Sequence, residues 1–130
     1  MMRKTVIKLL VVGMNPSNTQ KLVKPKNSTF DRLHKWFAFA GVERFSFVNT
    51  TQKLGEVTPK DVDYDTLKTC INGYRNVFAL GGFASDALKR IGVDHYVLPH
   101  PSPRNRSFND PTYEPKVMSE LKTLVETFDD

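Results

Sequence analysis

Short apolar runs alternate along this chain with stretches of helical period. Val6 to Gly13 (VIKLLVVG) is an apolar run of strand length, broken only by Lys8 and closed by a glycine. Phe30, Leu33, Trp36, Phe37 and Ala40 recur at spacings of three and four, marking one face of a helix over Ser28 to Ala40, with Asn27 or Ser28 placed to cap it. Phe45 to Asn49 reads as a second strand, Asp61 to Ile71 as a helix ending at Asn72-Gly73, and Asn76 to Leu80 as a third strand. Gly81-Gly82 turns the chain into a helix from about Ala84 to Arg90 that Gly92 ends. His95 to Leu98 is a fourth strand, and a last helix covers about Pro115 to Phe128. Strands separated by helices demand crossovers. The pattern therefore predicts a three-layer α/β/α sandwich with a central four-stranded parallel sheet, whose sites form beyond the carboxyl ends of the strands.

Composition narrows the chemistry. At 130 residues, with no repeat, low-complexity tract or linker, a single domain over residues 1–130 is expected. One cysteine, Cys70, and three scattered histidines supply neither a disulfide nor a zinc or iron–sulfur set, so no metal is expected and a reducing, cytoplasmic setting fits. Lys8 interrupts the first apolar run and no small-residue cleavage site follows it, which argues for a strand over a secretion signal or membrane segment. The net charge of +5 suits a polyanionic partner without demanding one.

The residues just past the four strands are GMNPS, NTTQ, GGFAS and PHPSPRNR, and these are also the stretches rich in Asn, Ser, His and Arg. GGFAS has neither a G-x-G-x-x-G pattern nor a following Walker lysine, so a tight turn explains its glycines better than a nucleotide cofactor does. GMNPS (Gly13 to Ser17) followed far downstream by HPSPRN (His100 to Asn105) resembles the first and last motifs of the uracil-DNA glycosylase superfamily, closest to its single-strand-selective monofunctional branch. FVNT and NVFALGGFAS resemble the superfamily's base-reading strand and its central strand with Gly turn. The resemblance spans roughly residues 6 to 106 in four short blocks.

That resemblance implies a uracil-DNA glycosylase-like fold and hydrolysis of the N-glycosidic bond of uracil or a 5-substituted uracil in DNA. No cofactor is implied, the partner is DNA, and a monomer is expected. Cleaving this bond builds positive charge on the sugar and negative charge on the departing base. An Asn carbonyl can orient a water, and a neutral His can donate to the base O2 as charge develops there. By resemblance Asn15 positions the water and His100 is that donor. Asn49 would read the base, since its amide donates to uracil O4 and accepts from N3–H, with Gly13 and Met14 offering backbone N–H groups and Gly13 allowing close approach. Arg104 resembles the arginine that fills the gap left by the flipped base. Arg106, Ser17, Ser85 and Ser102 are candidates for DNA phosphates. His34 and His95 are left as helix-surface and strand residues, and Trp36 and Phe37 as core.

Two departures bear on function. Ser17 stands where the branch has glycine, and NTQKLVKPKN lacks the aromatic that stacks on the base in relatives, leaving Phe30 as the first ring. A catalytically weak or inactive nucleic-acid-binding member of the fold, or an enzyme acting on modified bases or nucleotides, are the alternatives.

Overall fold

The computed structural model describes residues 8–15, 29–101 and 105–128. Four strands, β1 (Leu9–Gly13), β2 (Ser46–Asn49), β3 (Asn76–Leu80) and β4 (Tyr96–Leu98), alternate with four helices, α1 (Thr29–Phe39), α2 (Tyr64–Ile71), α3 (Gly81–Arg90) and α4 (Tyr113–Val125). The strands form one all-parallel sheet in the order β2-β1-β3-β4, which places the chain in the α/β class. The described residues fall into two compact units. One holds those of 9–24 and 46–100, the other those of 1–8, 25–45 and 101–130.

The first unit contains the whole sheet with α2 and α3. LLVVG and NVFAL are continuously apolar because β1 and β3 are central strands buried on both faces, whereas the edge strands β2 and β4 are partly exposed. Alternation along the strands sends Leu10, Val12, Val77 and Ala79 into one core with Leu67 and Ile71 of α2 and Ala84, Ala87 and Leu88 of α3. Leu9, Val11, Phe78 and Leu80 point to the other face and are no more than 2% exposed. The register Gly13↔Asn49 and Val12↔Ala79 keeps the carboxyl ends of β1, β2 and β3 level. Strand β1 has β2 on one side and β3 on the other, so the chain reverses its march across the sheet here, and the crevice beyond β1 and β3 is the switch point where α/β sheets place ligands.

Several boundaries differ from expectation for local reasons. Strand β1 starts at Leu9, since Lys8 is outside the ladder. Helix α2 starts at Tyr64, not Asp61: Pro59–Asp61 is a separate 3-10 turn, and Asp63 caps the helix by accepting from Thr66 N–H at 3.1 Å. Helix α3 begins at Gly81, directly after β3, because Gly81 at φ +84° makes the whole turn by itself.

In the second unit α1 and α4 pack together, with Leu33, Trp36 and Phe37 buried on α1 and Val117, Leu121 and Val125 buried on α4. The Trp36 indole N–H donates to Glu114 at 2.7 Å, the Arg32 guanidinium meets the same carboxylate at 3.3 Å, and the Phe108 ring lies 4.0 Å beneath that guanidinium. Phe30, expected on the buried stripe of α1, is 46% exposed. Asn27 and Ser28, the expected caps, lie outside the described residues.

Candidate functional site

Beyond β1 the chain enters Met14 and Asn15. The loop after β2 fixes both. Thr50, almost fully buried, donates its N–H to the Gly13 carbonyl at 2.9 Å and its hydroxyl to the Met14 carbonyl at 2.5 Å. The Asn15 carboxamide then donates both of its N–H groups into the same loop, to the Lys53 carbonyl at 3.0 Å and the Gly55 carbonyl at 2.9 Å. Two carbonyl acceptors settle which end of the amide is nitrogen. What Asn15 has left to offer is Oδ1, a pure acceptor, and among the described residues no group donates to it.

Asn49 ends β2 beside Gly13. A Cβ built on Gly13 would stand 2.6 Å from Cζ of Phe47 and 2.8 Å from Oδ1 of Asn49. Phe47 and Asn49 are two apart on one strand and share the sheet face on which Val11 and Phe78 are buried. Gly13 is therefore needed because the chain's own Phe47 ring and Asn49 amide occupy the space over its Cα. The Asn49 carboxamide is half-buried, and no described residue bonds to it.

His100 lies two residues past β4. Its Cβ and Cδ2 are 3.8 and 3.9 Å from the position of a Cβ on Gly81, so the imidazole packs on the first residue after β3. Asn15 and His100 thus follow neighbouring parts of the sheet's carboxyl edge, Asn15 beyond β1 and His100 against the end of β3, which pair in the ladder. Burial pushes the His100 imidazole below its ordinary value and favours the neutral ring at neutral pH.

Ser85 does not sit where a phosphate would reach it. It is buried in α3 and its hydroxyl lies 2.8 Å from Nε2 of His95, while Nδ1 of His95 lies 2.8 Å from the Val93 carbonyl. A carbonyl accepts only, so Nδ1 carries the proton and Ser85 donates to Nε2. Both groups are spent inside the fold, which removes Ser85 from the candidate DNA contacts. Arg106 is exposed at the start of a 3-10 turn, Arg106–Asn109, that Asn105 caps by accepting from Ser107 N–H at 3.0 Å. Ser17, Ser102 and Arg104 lie outside the described residues.

Thr50, Lys53, Gly55 and Asp61 belong to the site and were not singled out from sequence. Lys53 Nζ lies 3.4 Å from Asp61, which also accepts from Thr58 N–H at 2.8 Å. That N–H chiefly, and Lys53 further, hold the Asp61 carboxyl below its usual range. The Thr58-x-x-Asp61 spacing was the available signal, being the pattern of a reciprocal cap. A concavity of about 440 Å³ lined by Pro59, Tyr64, Phe83, Lys89 and Arg90 among others contains none of Asn15, Asn49 or His100. The switch point is the stronger candidate, because α/β sheets place ligands beyond the carboxyl ends of their strands, where Asn15 and Asn49 stand.

Among the described residues no group of three or more His, Cys, Asp or Glu could hold a metal ion, and no helix is long and apolar enough to cross a membrane. No protein-family model matches the chain, and no curated protein matches it.

Proposed function

We propose that the chain is a monofunctional DNA glycosylase that hydrolyses the N-glycosidic bond of uracil or a 5-substituted uracil, leaving an abasic site. The observation that carries this reading is the Asn15 carboxamide. Both of its protons are committed to backbone carbonyls, which leaves Oδ1, just beyond β1, as an oriented acceptor suited to one proton of a water.

In the reaction the N1–C1′ bond breaks first and its electron pair leaves with the base. The water held on Asn15 then forms the new bond at C1′ and releases a proton to solvent, since a carboxamide is no base. Neutral His100 donates an N–H to the base O2 as negative charge gathers there. A preorganised donor of this kind contributes up to about 3–4 kcal/mol to the barrier in a dry site. Asn49, with its amide unspent, matches the donor and acceptor edge of uracil and opposes that of cytosine. A wrong base would leave buried polar groups unpaired at about 1–3 kcal/mol each. The excess of Lys and Arg over Asp and Glu, 19 against 14, favours a nucleic-acid strand over a free base or nucleotide.

One observation favours a second reading, a nucleic-acid-binding member of the fold without activity. The space over Gly13 is filled by Phe47 and Asn49. Labelled single-stranded and duplex oligonucleotides carrying uracil or 5-hydroxymethyluracil separate the two. Release of free base with alkali-sensitive sites supports the hydrolase. Binding that weakens with salt, with no base released from any substrate, supports the binding module.

A further inference from the structure

We propose that Asp61 is a positioning residue for Asn15: it closes the loop whose Lys53 and Gly55 carbonyls hold the Asn15 carboxamide, and so sets the direction in which Oδ1 accepts. The catalytic consequence rests on the glycosylase reading; the clamp itself does not.

Two carbonyls separated by one residue do not converge on a single nitrogen in an ordinary extended or helical segment. They do so here at a bend over Gly55 and Glu56, where Gly55 takes φ +81°, a left-handed conformation. Such a turn needs its ends held. On the amino side Lys53 N–H donates to the Thr51 hydroxyl at 3.1 Å, and Thr50 is pinned to Gly13 and Met14. On the carboxyl side the Asp63 N–H donates to the Thr50 carbonyl at 2.9 Å. Asp61 joins the two sides. Its carboxylate accepts from Thr58 N–H at 2.8 Å and from Lys53 Nζ at 3.4 Å on each oxygen, and the Asp61 backbone N–H donates to the Thr58 carbonyl at 2.9 Å.

The magnitudes say which contact matters. The Lys53 side chain is 54% exposed, so the charge in this pair adds little to the contact. The short bond from a backbone N–H to a carboxylate is the stronger, directional one. Only the Lys53 contact reaches across to the clamp, and the Thr58 N–H bond fixes the oxygen that makes it, so the clamp should tolerate loss of the Asp61 charge but not loss of an acceptor oxygen there. Asp61→Asn keeps an oxygen for Thr58 N–H; Asp61→Ala does not.

The test follows the Asn15 carboxamide protons by 15N–1H NMR, alongside turnover of a uracil-containing single strand. Asp61→Ala is expected to speed solvent exchange of those protons and to lower kcat by about tenfold or more with KM little changed, because the water is misdirected and not lost. Asp61→Asn is expected to return both towards wild type. Gly55→Ala is the second variant: an added Cβ meets nothing within 4 Å, so only the turn is strained, and it should act like Asp61→Ala. Unchanged exchange and unchanged kcat in a folded Asp61→Ala or Gly55→Ala protein would overturn the proposal. A wild-type protein with no glycosylase activity would instead remove the proposed function, and the exchange comparison alone would then decide the clamp.

Discussion

The side-chain oxygen of Asn49 lies 2.8 Å from the point at which a Cβ on Gly13 would stand, so the last residue of β1 must be glycine for the last residue of β2 to keep its rotamer. The Phe47 ring crowds the same point at 2.6 Å. Gly13→Ala is expected to destabilise the protein by about 1–3 kcal/mol, as overpacking does, and to turn the Asn49 amide away from its present direction. Urea denaturation measures the first effect, and trimming the ring in a Gly13→Ala/Phe47→Leu double variant should recover part of it.

Asn15→Asp puts an oxygen where the amide nitrogen now meets two carbonyls at 3.0 and 2.9 Å. A protonated carboxyl satisfies one of them and a carboxylate neither, so the pKa of the new Asp is expected to be raised in the folded state. A carboxyl with a raised folded pKa favours folding at low pH and loses that advantage as pH rises through the folded value. The variant should therefore lie closer to wild type in stability near pH 4 than near pH 7, with a deficit of about 1–3 kcal/mol at the higher pH. Paired denaturation curves at both pH values test this, and an equal deficit at both would contradict it.

His100 is expected to titrate below 6.5, because burial disfavours its charged form. The folded value being depressed, the unfolded chain binds the proton more readily. Stability is full above the unfolded value and is lost as pH falls through the window down to the folded one. If the neutral ring is the donor, kcat falls over the same acid limb. An NMR titration of the His100 ring protons gives the midpoint, and a kcat profile with its acid limb above 6.5 would contradict the assignment.

Ser85→Ala removes the donor to His95 Nε2 and leaves a partly buried acceptor unpaired. A loss of about 1–2 kcal/mol in stability is expected, with DNA affinity unchanged. Weakened DNA binding at unchanged stability would return Ser85 to the DNA contacts.

The elements legible in the sequence were those whose signal is local. β3 is Asn76 to Leu80 as read, since a continuous apolar run bounded by polar turns has one reading. Asn72-Gly73 ends α2 as read because Gly73 takes φ +96°. The Asn15 clamp was not legible, because its acceptors are the backbone carbonyls of Lys53 and Gly55, and every residue carries a carbonyl. Ser85 was misread for a similar reason. Its partner His95 is ten residues away, and only the packing of α3 near β4 brings the two together. The crowding of Gly13 by Phe47 and Asn49 was not legible either, because their reach from a neighbouring strand depends on register.

The central claim is that Asn15 and His100 together break a base–sugar bond. It is tested most directly by treating a uracil-containing single strand with wild type, Asn15→Ala and His100→Ala, followed by alkali. Cleavage at the uracil by wild type, reduced by about a hundredfold or more in each variant while strand binding persists, is the predicted result. Cleavage that survives both substitutions would contradict the site, and none by wild type would contradict the function.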